Sequence, residues 1–332
     1  MKSFVFLSSI LACSLAITGC SGNKNAESVE PELEASCEVG PYTITNIAPS
    51  VYHIQDFNHN NPAGETFDES GAKTHFNNCS DIYLLAGSEK ALLIDLSNYV
   101  QWDSTACESL RTLVADRIKG KPLTITFTHN HGDHTGMLPA FIDDPVVEFA
   151  LPRIDFEALE DRFPNVRYWF YDEGLTFSLG GMNVNTVLVP GHTHGSMVFD
   201  LVGHDMIFTG DAIGSGHGVW IFNTEGYKEY VDAVPHLIEY IQNPANGIDT
   251  SKLTVWGGHY WQKDWFNDRE VKDLDWQYIL DMQTLITQIK NGEAYHEPSN
   301  LNFGALDTYF MLNNATIVWN LDQSIQWAEA QK

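Results

Sequence analysis

Thr128-His129-Asn130-His131-Gly132-Asp133-His134-Thr135-Gly136 packs three histidines and one aspartate into six positions, directly behind the β-branched run Leu123–Thr128 (LTITFT). Such a short β-branched run reads as a strand, so the polar segment starts at a strand end. Imidazole and carboxylate are the usual ligands of zinc and related borderline ions. On an extended segment His129, His131 and Asp133 share one face. Gly132 permits a turn that sends Asp133 and His134 toward a second ion. One histidine alone would read as a polar loop residue; four ligand-type side chains in six positions do not.

Three more strands end in similar chemistry. Val184–Val189 runs into Pro190-Gly191-His192, Met206–Thr209 into Gly210-Asp211, and Leu253–Trp256 into Gly257-Gly258-His259. Strand ends of layered α/β proteins lie along one edge, where ligands bind, so four such endings point to one shared site. The runs Asp81–Ala86 and Ala91–Asp95 read as a hairpin across Gly87-Ser88-Glu89-Lys90. Leu110, Leu113, Val114 and Ile118 recur at helical spacing before Gly120. Val146–Ala150 and Met197–Leu201 read as strands, Tyr230–Ile241 as a helix, and Val271–Ile289 as a long helix closed by Asn291-Gly292. Strands and helices alternate after residue 80, which argues an α/β class.

The set His129-x-His131-x-Asp133-His134, then His192, Asp211 and His259, has separations of 58, 19 and 48 residues. With its settings Pro-Gly-His192-Thr-x-Gly-Ser, Phe-Thr-Gly-Asp211 and Gly-Gly-His259, it resembles the metallo-β-lactamase superfamily over roughly residues 80–260. The resemblance implies a four-layer αβ/βα sandwich, two mixed sheets face to face with helices outside and two metals at one edge. It implies that His129, His131 and His192 hold one ion, that Asp133, His134 and His259 hold another, and that Asp211 bridges them. Zinc is the expected metal at two Zn2+ per chain, with iron or manganese as alternatives. Two ions about 3.5–4 Å apart can share a water and make it hydroxide near neutral pH, so the chemistry needs no Ser or Cys triad. Asp133, Asp211 and Tyr260 are the catalytic candidates, Tyr260 as a donor to a developing oxyanion. Thr193, Ser196 and Thr209 are candidates to orient ligands, with ordinary turn and strand hydroxyls as the alternative.

Departures sort the branches of the family. His131 stands where redox diiron relatives carry Glu, and Asp211 where dedicated β-lactamases carry Cys or Ser. The seven-ligand set resembles glyoxalase II, lactonases and phosphodiesterases; a mononuclear iron sulfur dioxygenase shares many of these ligands. The expected activity is hydrolysis of an ester, lactone or thioester small molecule. Phosphodiester cleavage of choline-type or nucleotide substrates is the alternative, with β-lactam hydrolysis as a side activity and a metal-containing binding lipoprotein as the non-enzyme reading. Among the other histidines, His194, His204 and His217 lie nearest the ligands, His194 as a pocket candidate and each otherwise a surface or packing residue. Aromatics cluster at Tyr168–Tyr171, Trp220–Phe222, and Tyr260-Trp261 with Trp265-Phe266. Core packing is their default role, and the third cluster, directly behind His259, is expected to wall the pocket.

The chain has 332 residues, 43% hydrophobic, with 18 Lys+Arg against 44 Asp+Glu and a formal net charge of -26. That balance excludes nucleic acid as a partner class, because phosphate backbones bind basic surfaces. Lys2 precedes an apolar run, Phe4–Thr18, shorter than the ~20 residues of a membrane span and suited to a secretory signal. Ile17-Thr18-Gly19-Cys20 resembles the bacterial lipobox. The expected organisation is a signal peptide over 1–19, a lipidated polar tether over 20–37 and a hydrolase domain over 38–332. The chain is then exported and anchored to the cell envelope through lipid on Cys20, on the periplasmic or surface side. Cys37, Cys79 and Cys107 allow one disulfide, with Cys37–Cys79 a guess that sequence cannot decide.

Overall fold

Asp81–Ala86 and Ala91–Ile94 pair antiparallel, Ala86 opposite Ala91, and every residue of both strands is buried. The computed structural model describes residues 37–56, 66–67, 73–75, 80–101, 103–164, 166–214, 218–259, 274–299, 301 and 306–332. The hairpin sits in the middle of an eight-stranded sheet whose strands are, in order, 37–39, 42–48, 51–55, 81–86, 91–94, 123–126, 147–152 and 167–171. Pairing is antiparallel up to 91–94 and parallel from there to 167–171. Parallel neighbours need a crossover, and the helix Ala106–Ile118 supplies the one between 91–94 and 123–126.

Strand residues alternate between two cores, as the two-residue period requires. Ile82, Leu84, Ala91 and Leu93 pack with Leu110, Leu113, Val114 and Ile118 of that helix. Tyr83, Leu85, Leu92 and Ile94 pack instead with Val184, Phe199, Leu201 and Phe208 of a second sheet. That sheet is ordered 176–178, 183–188, 197–201, 206–210, 254–257, 274–275. Its far side, including Val187, Val198, Ile207 and Val255, packs with Tyr230, Val234, Leu237 and Met282. These come from the helices Thr224–Gln242 and Trp276–Asn291. Helix, sheet, sheet, helix is the expected four-layer αβ/βα sandwich. Each fully buried Phe, Leu or Ile of the inter-sheet seam contributes about 1.5–3 kcal/mol.

The structure departs from the sequence expectations in places. The helix expected from Val271 starts at Trp276: the Asp275 side chain accepts from Tyr278 N at 2.9 Å, a strong N-terminal stop, and Leu274 pairs with Val255 in a short strand. Gly292, left-handed at φ 72°, ends that helix. The strand expected to reach Thr128 ends at Thr126. Cys37 and Cys107 are free thiols, so Cys37 is not bridged to Cys79, which lies outside the described residues. Unanticipated elements are the strands between residues 37 and 55, the helix Leu321–Ala330, and a sheet ordered 219–220, 315–319, 308–312, 296–298. Among the described residues no helix is long and apolar enough to cross a membrane. The segment read as signal and tether up to residue 36 lies outside them.

Candidate metal centre

The ligand-type side chains meet at one edge of the sandwich. His131 Nδ1 lies 3.0 Å from His129 Nε2 and 2.9 Å from His192 Nε2. Three ligands of a tetrahedral ion with bonds of about 2.0–2.1 Å would stand ~3.3 Å apart, close to this spacing. Asp211 reaches His134 Nε2 with Oδ1 at 3.4 Å. Its Oδ2 reaches His259 Nε2 at 3.3 Å and His192 Nε2 at 3.5 Å, so one carboxylate touches histidines of both expected groups. Asp133 Oδ2 is 3.5 Å from His259 Nε2, and Asp133 also groups with His129 and His134. All seven sequence-read ligands are thus brought together. Tyr260, the remaining catalytic candidate, lies outside the described residues.

The donor chemistry fits cations. His134 Nε2 and Asp211 Oδ1 are buried and face each other at 3.4 Å, yet neither makes a hydrogen bond, an arrangement that a cation held between them would satisfy. Burial, then the neighbouring histidines, holds His129 well below its ordinary pKa. Burial lowers His131 and takes His192 down to about 4. These three rings are therefore neutral at pH 7 and keep lone pairs to offer. Burial also opposes charge on His134 and His259, but Asp211 leads a set of carboxylates that raises His134 well above its usual value and His259 to about 9. Burial opposes charge on Asp211 too, yet His259 and His134 pull it well below the carboxylate range.

Supporting groups fix these ligands. Asp95, which the sequence reading passed over, accepts from Thr128 N and Thr128 Oγ1, each at 2.7 Å, and from His134 Nδ1 at 2.9 Å. It ends the strand Ala91–Ile94, so the strand-end rule that found the other ligands also marks it. Asp155 accepts from Asn130 N, Gly195 N and Thr193 Oγ1 at 3.1, 2.7 and 2.7 Å. It ties the loop of His129 and His131 to the loop after His192, and no local motif announces it. Thr193 and Ser196, 2.7 Å apart at their hydroxyls, act in this tie. Thr209 bonds only backbone carbonyls and takes the strand-hydroxyl role. The Trp220 carbonyl accepts from His192 Nδ1 at 2.9 Å. Such partners set ring orientation and ligand basicity. The glycine before His259 is sterically required: a Cβ on Gly258 would come within 2.2 Å of Asp211 Oδ1 and 2.8 Å of His134 Cε1.

The remaining candidates divide. His194 is exposed and pairs with Glu229 at 2.7 Å, a surface role. His204 lies exposed in the 202–205 turn, and His217 is outside the described residues. Tyr171 is buried and bonded to Thr126 Oγ1, whereas Trp169 is partly exposed on the edge strand. The second aromatic cluster borders the site: Phe222 stands 5.5 Å from both the His131 and His192 rings. Leu306, Tyr309, Met311 and Val318 form the buried cluster that Phe222 and Trp220 pack against. Trp261, Trp265 and Phe266 fall outside the described residues.

This edge-on cluster, set between two sheets with helices outside, defines the metallo-β-lactamase fold. The fold is similar to that of a metallo-beta-lactamase from Pontibacter korlensis, with a TM-score of 0.53 and 17% identity, covering 74% of this chain and 99% of that one. It is also similar to one from Erythrobacter litoralis, with a TM-score of 0.51 and 15% identity, covering 76% and 100%. Residues 80–240 match the Metallo-beta-lactamase superfamily, and the chain carries a domain of that superfamily. It is 31% identical over 157 residues to the atrochrysone carboxyl ACP thioesterase of Aspergillus fumigatus, covering 47% of this chain and 45% of that protein. It is 32% identical over 106 residues to the hydroxyacylglutathione hydrolase of Aeromonas salmonicida, covering 31% and 39%. The chain thus spans under half the length of these two relatives.

Proposed function

We propose that this protein is a metal-dependent hydrolase that cleaves an ester, lactone or thioester at a centre of two ions, zinc by preference. The observation that carries the reading is Asp211, one carboxylate in contact with His134, His192 and His259. His129, His131 and His192 would hold one ion, and Asp133, His134 and His259 the other, with Asp211 shared. The ions, when bound, supply Lewis acidity and acidify water near neutral pH. The three neutral histidines present their lone pairs, His129 held in orientation by Thr128 and His192 by the Trp220 carbonyl. Asp133, the more exposed of the two cluster carboxylates, is placed to accept the proton of the attacking water. Phe222 offers an apolar edge beside His131 and His192, which suits an apolar acyl or ring portion. The names of the two relatives, a thioesterase and a hydroxyacylglutathione hydrolase, support this class. The aromatic border also carries a second reading, a phosphodiesterase for cationic choline-type substrates, since aromatic faces attract cations.

Turnover of ester, lactone, thioester and phosphodiester substrates in heavy-oxygen water tests both. The expected result is one labelled oxygen in the product acid within a single turnover. A trapped acyl adduct on any Ser, Cys or Thr overturns the mechanism. Turnover of phosphodiesters alone replaces the first substrate class with the second.

The N-terminal reading joins the proposal: export, with anchoring through lipid on Cys20. Cys20→Ser is expected to leave the chain unprocessed or to release it from the membrane fraction, because a single acyl chain holds only marginally and several are needed for stable anchoring. Fractionation and mass analysis of the N-terminus check this. An unchanged membrane fraction with no lipid on Cys20 refutes it.

A further inference from the structure

Behind the metal centre lies a carboxyl that none of the ligand chemistry uses. Asp56, at the end of the strand Val51–Gln55, is fully buried. It accepts from Ser80 N at 3.0 Å and from Ser97 Oγ in a short contact. Both partners lead to the same half of the site. Ser97 and Asp95 both have left-handed backbones, at φ 59° and 63°, which is uncommon for residues other than glycine. The Asp95–Ser97 turn is bonded to the metal loop along its whole length. Asp95 accepts from His134 Nδ1, Leu96 N donates to His134 O at 2.7 Å, and Gly136 N donates to Ser97 O at 2.8 Å. On the other side, Ser80 precedes Asp81, whose N donates to Gly258 O at 2.8 Å, one residue before His259. Asp81 is itself held by His53 Nε2 at 2.7 Å.

We propose that Asp56 is a positioning residue for the second metal site. It clamps together the Ser80–Asp81 and Asp95–Ser97 stretches, which hold by hydrogen bonds the segments of His259 and His134, the histidines that flank Asp211. No sequence pattern marks it, because its partners lie 24 and 41 residues away. Burial pushes its carboxyl up to about 8, so an amide of the same shape is a close stand-in for the protonated group. The proposal rests on the two-ion reading above.

The test is zinc binding by competition with a chromophoric chelator, alongside the melting temperature of the metal-free protein. Wild type is expected to take two equivalents. Asp56→Ala is expected to bind one of the two equivalents 10–100-fold more weakly, the range for removal of an outer partner, while the other changes less than about threefold. Asp56→Asn, which keeps the shape and the acceptor for Ser80 N, is expected to restore most of the affinity. If Asp56→Ala fails to fold, Ser97→Ala breaks the clamp at its other end and is expected to weaken the same equivalent. With two equivalents in wild type, unchanged affinity or uniform weakening of both ions in the folded variant overturns the role of Asp56 alone. A wild-type chain that takes one equivalent overturns the two-ion reading, and the proposal falls with it.

Discussion

Asp211→Ala is expected to lower kcat/KM on the order of 1000-fold or more, a loss of about 4 kcal/mol of transition-state stabilisation. Deleting a partner outside the ligand set typically costs 10–100-fold. Asp211 touches three histidines of the set and therefore sets a larger loss. Alanine removes the shared contact, the spacing between the two histidine groups and the charge that holds His134 and His259 in place. Asp211→Asn keeps the shape and loses the charge, so its activity is expected between the two. Asp249, an acid paired with Lys252 at the surface, is the control: Asp249→Ala should leave kcat/KM unchanged. Metal analysis on the same samples should show fewer than two ions in Asp211→Ala. Turnover near wild type in that variant removes Asp211 from the site.

Metal removal is expected to have the second largest effect, on stability as much as on rate. Chelation should abolish turnover and zinc should restore it. A ligand that binds only the native state at 1,000 times its dissociation constant stabilises by about 4 kcal/mol. Two such ions on a domain of this size raise the melting temperature by roughly 10–15 °C. The metal-free protein should also respond to pH on both sides of neutrality. His192 is depressed to about 4 in the fold from its ordinary 6.5, so the unfolded chain binds more protons between those values and stability falls as pH drops through that window. His259 is raised to about 9, so its contribution is full below pH 6.5 and is lost as pH rises through 9. The joint contribution of these two histidines to the metal-free protein is therefore expected to be largest near pH 6.5–7, read by denaturant titration across pH as the difference between wild type and the His192→Ala and His259→Ala variants. Protein refilled with excess zinc that binds almost none and melts no higher refutes the two-ion centre.

The ligands were legible because His129, His192, Asp211 and His259 each follow the end of a short strand within four residues, where a change from β-branched to polar residues is a local signal, and His131, Asp133 and His134 crowd behind the first of them, the last two in the helical turn Gly132–Thr135. Asp95 carries that signal too, as the last residue of Ala91–Asp95; it escaped because its neighbours hold no second ligand type. Asp155 and Asp56 act through partners far along the chain, and no spacing reveals them. Alternation after residue 80 gave the α/β class; the four-layer order came with the resemblance to the superfamily. The strands at Tyr42–Ala48 and Val51–Gln55 interrupt their apolar pattern with Asn46, His53 and Gln55, the last two of which are buried through tertiary bonds to Asp81 rather than local ones. The C-terminal hairpin Thr308–Leu312 and Ala315–Trp319 turns at Asn313, left-handed at φ 53°. That Asn-Asn turn between β-rich runs was readable in principle. What sequence could not show is that this sheet holds Val219–Trp220, and with it the carbonyl that orients His192.

Each histidine group draws on both sheets. His129 and His131 leave the sheet that contains the 81–94 hairpin, while His192 leaves the other; His134 likewise faces Asp211 and His259 across the seam. A bound ion is then a rivet: it joins positions 63 residues apart in one group and 125 apart in the other, long loops whose closure the unfolded chain otherwise makes at an entropic cost. If ions are bound there, prying the sheets apart means surrendering them first, so the escape rate from the native state would drop along with its equilibrium population of open forms. Without ions, holding the two sheets together falls to the apolar seam that includes Tyr83, Leu85, Phe199 and Phe208 and to bonds that cross it, such as that from the Tyr83 hydroxyl to the Gly257 carbonyl.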